Sequence, residues 1–290
     1  MTVLIFGAGE LGTCLGKILQ RNNTVLLWDK DPGKRNTEEF LPELIAKSSA
    51  IILAVPSVAL RIALEEIKPY CSAKNFFLCF TKGMEQTGAL APEIIEQTMA
   101  NPYVLIAGPM IAEELNQGMP GYAMCAGDQE VYQKTLELFR DTNIHCEYTQ
   151  DTKSVAWCSV LKNVYAVCMG MIDGLALPGN AKGYVLGKIL EEWSTLSHGL
   201  GVDPGIVWGT SGISDFLATS FSTGSHNRAT GEKIIKGEIV ESEGTRSLRG
   251  LIPLLQKTNI TIPPILNAIN AIVSQKANPT ETMQKIMQTP

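Results

Sequence analysis

One lysine in this chain stands where a charge is costly. In the stretch SVAWCSVLKNVYAVCMGMID, residues 154–173, Val155, Trp157, Cys158, Val160, Leu161, Val164, Tyr165, Val167, Cys168 and Met169 cover nearly the whole circumference of a helical wheel. That pattern predicts a helix over Ser154–Ile172 buried on most sides. Lys162 is its only interior charge. A buried ammonium must snorkel out, pair with an acid, or work with a depressed pKa, and in the last case it can donate a proton near neutral pH. Asp173 lies about 16 Å further along the axis, too far to neutralise it. The partner therefore comes from another segment, and Asp215, in the apolar and hydroxylated GISDFLATS, is the candidate. The plain alternative is a lysine escaping to water at a domain edge.

A second constellation opens the chain. Thr2–Phe6 reads as a buried strand, GAGELG follows at 7–12, and Cys14, Leu15, Ile18 and Leu19 then recur at helical spacing. Gly7 would allow a tight turn, Gly9 would let backbone approach a pyrophosphate, and Gly12 would let helix pack on strand, with the helix N–H groups facing the anion. Taken alone the glycines also suit an ordinary turn. The order of strand, turn, helix, second strand Thr24–Trp28 and then Asp29 favours nucleotide binding, because that acid is placed to accept from ribose hydroxyls. Ligands of an open parallel sheet sit beyond the carboxyl ends of its strands. The loops there carry Pro56 in LAVPS, Lys82 in CFTKGME and Gly108 in IAGPMIAEE. By itself Lys82 reads equally well as a solvated surface lysine.

Composition bounds the remaining readings. With 290 residues the chain is long enough for two domains. Against 29 acidic residues stand 24 basic ones, a net charge of -5, and no basic cluster of the kind that tracks a nucleic-acid backbone, so no nucleic-acid partner is expected. Apolar runs such as SAIILAVPSVAL are broken by Pro56 and are shorter than a bilayer span, so no membrane insertion is expected. Seven scattered cysteines without C-x-x-C spacing suggest reduced core thiols, and with no basic region ahead of the first apolar stretch they point to a cytoplasmic setting. His145, His198 and His226 form no metal-ligand spacing, and no metal is expected.

Those residues need a frame. Candidate strands at 2–7, 24–28, 50–55, 75–80, 102–106, 120–126 and 143–148 alternate with helical stretches, which predicts a doubly wound sheet, parallel at least in its first part. From Asp151 the pattern is helical only, with Ser154–Ile172, Tyr184–Leu200, Ser247–Thr258 and Ile265–Lys276 separated by glycine-rich loops. The expected fold is an α/β dinucleotide-binding domain over 1–148 followed by an all-α domain over 149–290.

The motifs GAGELG, AVPS, TKG, AGP, LKN, GNAK, SDFLAT, HNR and EGT, in this order, resemble those of the bacterial-type NAD(P)-dependent glycerol-3-phosphate dehydrogenases, from Thr2 to about Arg246. The resemblance implies a Rossmann-type N-terminal domain, a helical C-terminal domain, and interconversion of dihydroxyacetone phosphate and sn-glycerol 3-phosphate. It implies Lys162 as general acid/base, with Lys82 and Asp215 beside the reacting centre. Cofactor contacts fall on Gly7, Gly9, Glu10, Leu11, Gly12, Asp29, Pro56, Lys82, Ala112 and Glu243. Substrate contacts fall on Lys82, Gly108, Lys162, Asn163, Asp215, Thr219, Ser225, His226 and Asn227. Hydride transfer to a carbonyl leaves an alkoxide that needs a proton, which suits a buried lysine. NAD is the expected cofactor, with NADP accommodated if Lys30, Lys34 and Arg35 offset Asp29. A phosphorylated small molecule is the expected substrate, and a homodimer is compatible with the pattern. The chain departs from the family at Glu10 and Leu11, where Ser-Trp is usual, at Met110 for a serine or threonine, at Ser214 for a glycine, and at His226 for an arginine. Two other readings stay open: a related dehydrogenase of an altered hydroxy-acid or hydroxy-phosphate substrate, and a non-catalytic NAD-binding sensor.

Overall fold

A computed structural model describes residues 1–288. Its contacts divide the chain into two units, Met1–Lys82 with Leu90–Ala156, and Gly83–Ala89 with the chain from Trp157 onward.

The first unit carries the sheet. Strands β1 (Thr2–Phe6), β2 (Thr24–Trp28), β3 (Ala50–Leu53), β4 (Phe76–Cys79), β5 (Tyr103–Ala107), β6 (Gly121–Gly127) and β7 (Ile144–Thr149) lie in the order β2-β1-β3-β4-β5-β6-β7. The first five are parallel, and β3 and β4 are buried along their whole length, as expected for strands covered on both faces. β6 runs antiparallel to β5, and β7 runs parallel to β6. This unit also holds helices α1 (Glu10–Leu19), α2 (Leu41–Lys47), α3 (Ser57–Ile67), α4 (Ala91–Thr98), α5 (Ala112–Asn116) and α6 (Gln129–Leu138). The strand order reverses between β1 and β3, which opens a crevice at the carboxyl ends of those two strands.

The second unit is helical. α7 (Thr152–Gly174) crosses from one unit into the other, with Thr152–Ala156 counted in the first. It is long and apolar enough to span a bilayer, yet Ser154–Ile172 is buried throughout, which marks a core helix. It is followed by α8 (Gly179–Leu200), α9 (Pro204–Val207), α10 (Asp215–Phe221), α11 (His226–Ile235), α12 (Glu243–Lys257), α13 (Pro264–Gln275) and α14 (Pro279–Gln288). The expected glycine-rich loops at 201–246 are thus replaced in large part by α9, α10 and α11. α10 is too short to show a period. α11 buries Asn227, Thr230 and Gly231, a face that hydropathy does not mark.

α7 and α11 meet at backbone level. A Cβ on Gly170 would lie 1.9 Å from the Arg228 carbonyl oxygen, and one on Gly231 would lie 2.0 Å from that of Val167. An ion-pair cluster joins the same elements. Asp173 accepts from Lys182 Nζ at 2.6 Å and from Arg228 Nε at 2.7 Å, while Arg228 also pairs with Glu232 at 2.7 Å. Burial raises the Asp173 pKa, but the two cations outweigh it and hold the carboxyl below its usual range.

Glu192, buried in α8, closes the start of α13. Its Oε1 accepts from Ile265 N at 2.5 Å, and its Oε2 accepts from Leu266 N at 3.2 Å and from the Tyr165 hydroxyl at 3.1 Å. Burial pushes its pKa up against those three donors. A glutamine offers one acceptor oxygen and turns an NH2 toward a donor. Glu192→Gln should therefore destabilise the protein by about 1–3 kcal/mol, the cost of a buried unsatisfied polar group. Urea unfolding of parent and variant measures it, and equal midpoints would remove Glu192 from the role of helix cap.

Candidate active site

The first unit builds a cradle from the end of β1. Gly7 has φ +106° and its N–H donates to the Trp28 carbonyl at 2.8 Å, so the chain turns out of the strand at once. A Cβ on Gly12 would lie 1.9 Å from the Gly7 carbonyl oxygen, which makes this the tight helix-on-turn contact expected there. Gly9 is the N-cap of α1, supplies no side-chain cap, and has nothing within 4 Å of where a Cβ would stand. That leaves room beside the first turn of α1, the end of a helix that favours an anion such as a pyrophosphate. Glu10 and Leu11 form the first turn of α1, with Glu10 exposed to screening solvent.

Asp29 is joined to this cradle. Its Oδ2 accepts from Ala8 N at 2.8 Å and its Oδ1 from Asp31 N at 3.0 Å, so the carboxylate is fixed at the β2 end beside the glycine turn. Arg35 donates through Nε to the Asp29 carbonyl at 2.7 Å and lies over the Trp28 ring at 4.9 Å. Pro56 is exposed as the N-cap of α3. The neighbouring Val55 carbonyl accepts from Thr81 Oγ1 at 2.8 Å, which ties the loop after β3 to the one after β4. Lys82 Nζ donates to the Gly108 carbonyl at 3.0 Å, bringing two of the expected substrate residues together. Ala112 begins α5, and its carbonyl accepts from Cys14 Sγ of α1 at 3.5 Å. These residues fit a dinucleotide. The strand order, an α1 N-terminus without a side-chain cap and an acid at the end of β2 are all present.

The second unit buries a lysine between two acceptors. Lys162 is 5% exposed and Asp215 2%. Lys162 Nζ donates to Asp215 Oδ1 at 3.0 Å and to Thr219 Oγ1 at 3.0 Å. Asp215 and Thr219 are one turn apart on α10, so a single short helix face supplies both acceptors. Removing one partner of a pair this buried costs about 3–5 kcal/mol. Ser214, where the family has glycine, has φ −62° and ψ −46°, a conformation open to any residue.

Asn163, Asn227 and Gly244 form a chain inside this unit. Asn227 Nδ2 donates to Asn163 Oδ1 at 2.8 Å, and Asn227 Oδ1 accepts from Gly244 N at 2.9 Å. The Asn227 amide is thus engaged at both ends between α7, α11 and α12. Ser225 caps α11 by accepting from Arg228 N at 3.3 Å, and His226, the first residue of that helix, is exposed. Glu243 begins α12, with Arg246 Nη1 3.7 Å from its Oε1. Arg228, two residues after His226, is held by Asp173 and Glu232. Met110 belongs to the core of the first unit, where a Cβ on Gly121 would touch its Cγ at 3.4 Å, so that departure from the family is one of packing. Among the described residues no group of three or more His, Cys, Asp or Glu could hold a metal.

Family models decide the relationship. The model of the NAD-dependent glycerol-3-phosphate dehydrogenase C-terminus matches residues 151–284, and that of the N-terminus matches residues 36–132. The chain belongs to the NAD-dependent glycerol-3-phosphate dehydrogenase family. It is 26% identical to a glycerol-3-phosphate dehydrogenase (NAD(P)+) of Thermus thermophilus, over 99% of this chain and 98% of the relative. It is 28% identical to one of Halorhodospira halophila, over 99% and 96%. The crystal structure of glycerol-3-phosphate dehydrogenase from Coxiella burnetii superposes with a TM-score of 0.88 at 24% identity, covering 99% of this chain and 98% of that one. The N-terminal family model begins at residue 36, beyond the glycine turn and Asp29, so that segment is supported by the alignments to the relatives, which cover 99% of this chain, and by its geometry.

That geometry carries a cofactor prediction. A 2′-phosphate would meet the fixed Asp29 carboxylate, while Arg35 is held on Trp28 and the Asp29 carbonyl, leaving exposed Lys30 and Lys34 to compensate. We expect kcat/KM for NADH to exceed that for NADPH by about tenfold or more, and Asp29→Asn to narrow the gap. Steady-state rates with both cofactors measure it, and an NADPH advantage in the parent would reverse the assignment of Asp29.

Proposed function

We propose that this chain interconverts dihydroxyacetone phosphate and sn-glycerol 3-phosphate with NAD(H), with Lys162 as the general acid/base. The observation that carries the reading is the buried Lys162 ammonium, held at 3.0 Å by both Asp215 and Thr219. Such a group can hold a proton at Nζ in a dry site and exchange it with the oxygen of a reacting carbonyl. NADH, when bound, supplies the hydride. The glycine cradle and Asp29 bind and orient the dinucleotide. Asp215 keeps the ammonium aimed, and Thr219 fixes its second donor direction. Lys82 adds a cation that offsets the negative charge developing on the substrate oxygen and its phosphate. Ser225 and His226, at the N-terminus of α11, offer a hydroxyl, an imidazole and helix N–H groups to that phosphate. In this reading residues 1–148 form the dinucleotide-binding domain and 149–290 the substrate domain, in a cytoplasmic enzyme.

The test is NADH oxidation with dihydroxyacetone phosphate, within a panel that includes 2-keto acids and other hydroxyketone phosphates. Lys162→Met removes the proton but strands Asp215, so it is read beside Lys162→Gln, which keeps a donor for that carboxylate. Both should lower kcat by about 10²- to 10⁴-fold, with the Kd for NADH nearly unchanged. Turnover retained in Lys162→Gln would remove the acid/base role, and activity confined to another carbonyl compound would change the substrate.

A further inference from the structure

The geometry points to Trp193 as a positioning residue for the Lys162–Asp215 pair, the centre of an aromatic brace that fixes α10 against α7. The inference rests on the reading of Lys162 as the general acid/base. α10 has seven residues, and the turn before it is broken at Gly212, with φ −94° and ψ −109°. A helix this short does not hold itself in place. Its face toward Lys162 offers Asp215 and Thr219, and the next residue after Asp215, Phe216, is fully buried.

Phe216 meets the Trp193 ring at 5.3 Å between centroids, edge to face at 66°. Trp193, also fully buried, stacks on Tyr165 at 6.0 Å and 25°. Tyr165 lies three residues beyond Lys162 on α7 and is therefore its neighbour on the helix surface. The Tyr165 hydroxyl donates to Glu192, the residue before Trp193, and Glu192 is itself held by two N–H groups of α13. The contacts close a circuit: Lys162 to Asp215, Phe216 to Trp193, Trp193 to Tyr165, and along α7 back to Lys162. Aromatic rings have few torsions, so this circuit sets the distance between Asp215 and the lysine with little give. Asp215 faces Lys162 from α10, whereas Glu192, the other carboxylate of the circuit, is turned to the start of α13. A flexible aliphatic side chain at 193 would let α10 shift, and small misplacements of a proton donor are expensive in rate.

Trp193→Leu and Trp193→Phe test the brace, with Phe216→Leu as a second variant should Trp193→Leu not fold. For Trp193→Leu we expect kcat to fall about tenfold and its pH dependence to move, with KM for dihydroxyacetone phosphate and Kd for NADH within about twofold of the parent. Trp193→Phe should restore kcat to within about twofold. An independent readout is the NMR titration of ¹³C-lysine-labelled protein, in which the Lys162 signal is identified by its loss in Lys162→Gln. Its midpoint should move by about half a pH unit or more in the leucine variant and stay in the phenylalanine one. A lower Tm with kcat, its pH profile and the midpoint unchanged would overturn the inference, as would a fall in kcat with an unmoved midpoint. Absence of turnover in the parent would count against the proposed reaction, and the titration would then decide the brace by itself.

Discussion

A charged amine inside an apolar helix dictates much of the second unit. Lys162 sits on α7, which is buried from Ser154 to Ile172, so its ammonium survives only if acceptors are brought to it. α10 brings two, and α10 in turn has to be held by something other than its own length. Phe216 against Trp193 supplies that hold. The acid nearest in sequence, Asp173, is committed elsewhere, to Lys182 and Arg228, which keeps the end of α7 fixed to α8 and α11. One costly charge thus accounts for the packing of a short helix and for the separation of two carboxylates into distinct tasks.

The first unit answers a different constraint, the need to start a helix directly over the end of a strand without losing the sheet. Gly7 leaves β1 with a positive φ, Gly12 lets α1 start directly over the turn, and Gly9 keeps the mouth open. The Asp29 carboxylate satisfies the Ala8 N–H within that same turn. A single carboxylate thereby both shapes the glycine turn and sets the charge at the end of β2.

Much of this was legible in the residue pattern, and the gaps have physical causes. Lys162 stood out because a lone charge breaks an otherwise apolar wheel, and Asp215 because it is an acid in an apolar stretch. The seven strands were legible from short apolar runs, yet the reversal of β6 and β7 was not, since alternation along a strand carries no direction. α11 carries no hydropathy signal because its buried face is asparagine, threonine and glycine. The role of Met110 needed the structure as well. A methionine in a motif reads as a changed pocket, but its side chain fills the core beside Gly121.

The contact of α7 with α11 is made by backbone, at Gly170 and Gly231. Such a contact has no rotamers to freeze, so it forms with little loss of side-chain entropy. For the same reason it has no rotamers with which to yield. A methyl group added at either glycine cannot be absorbed locally and must push one helix away from the other. The displacement would carry Ser225 and His226 with α11, converting a change of one carbon atom into altered spacing between the lysine and the start of that helix.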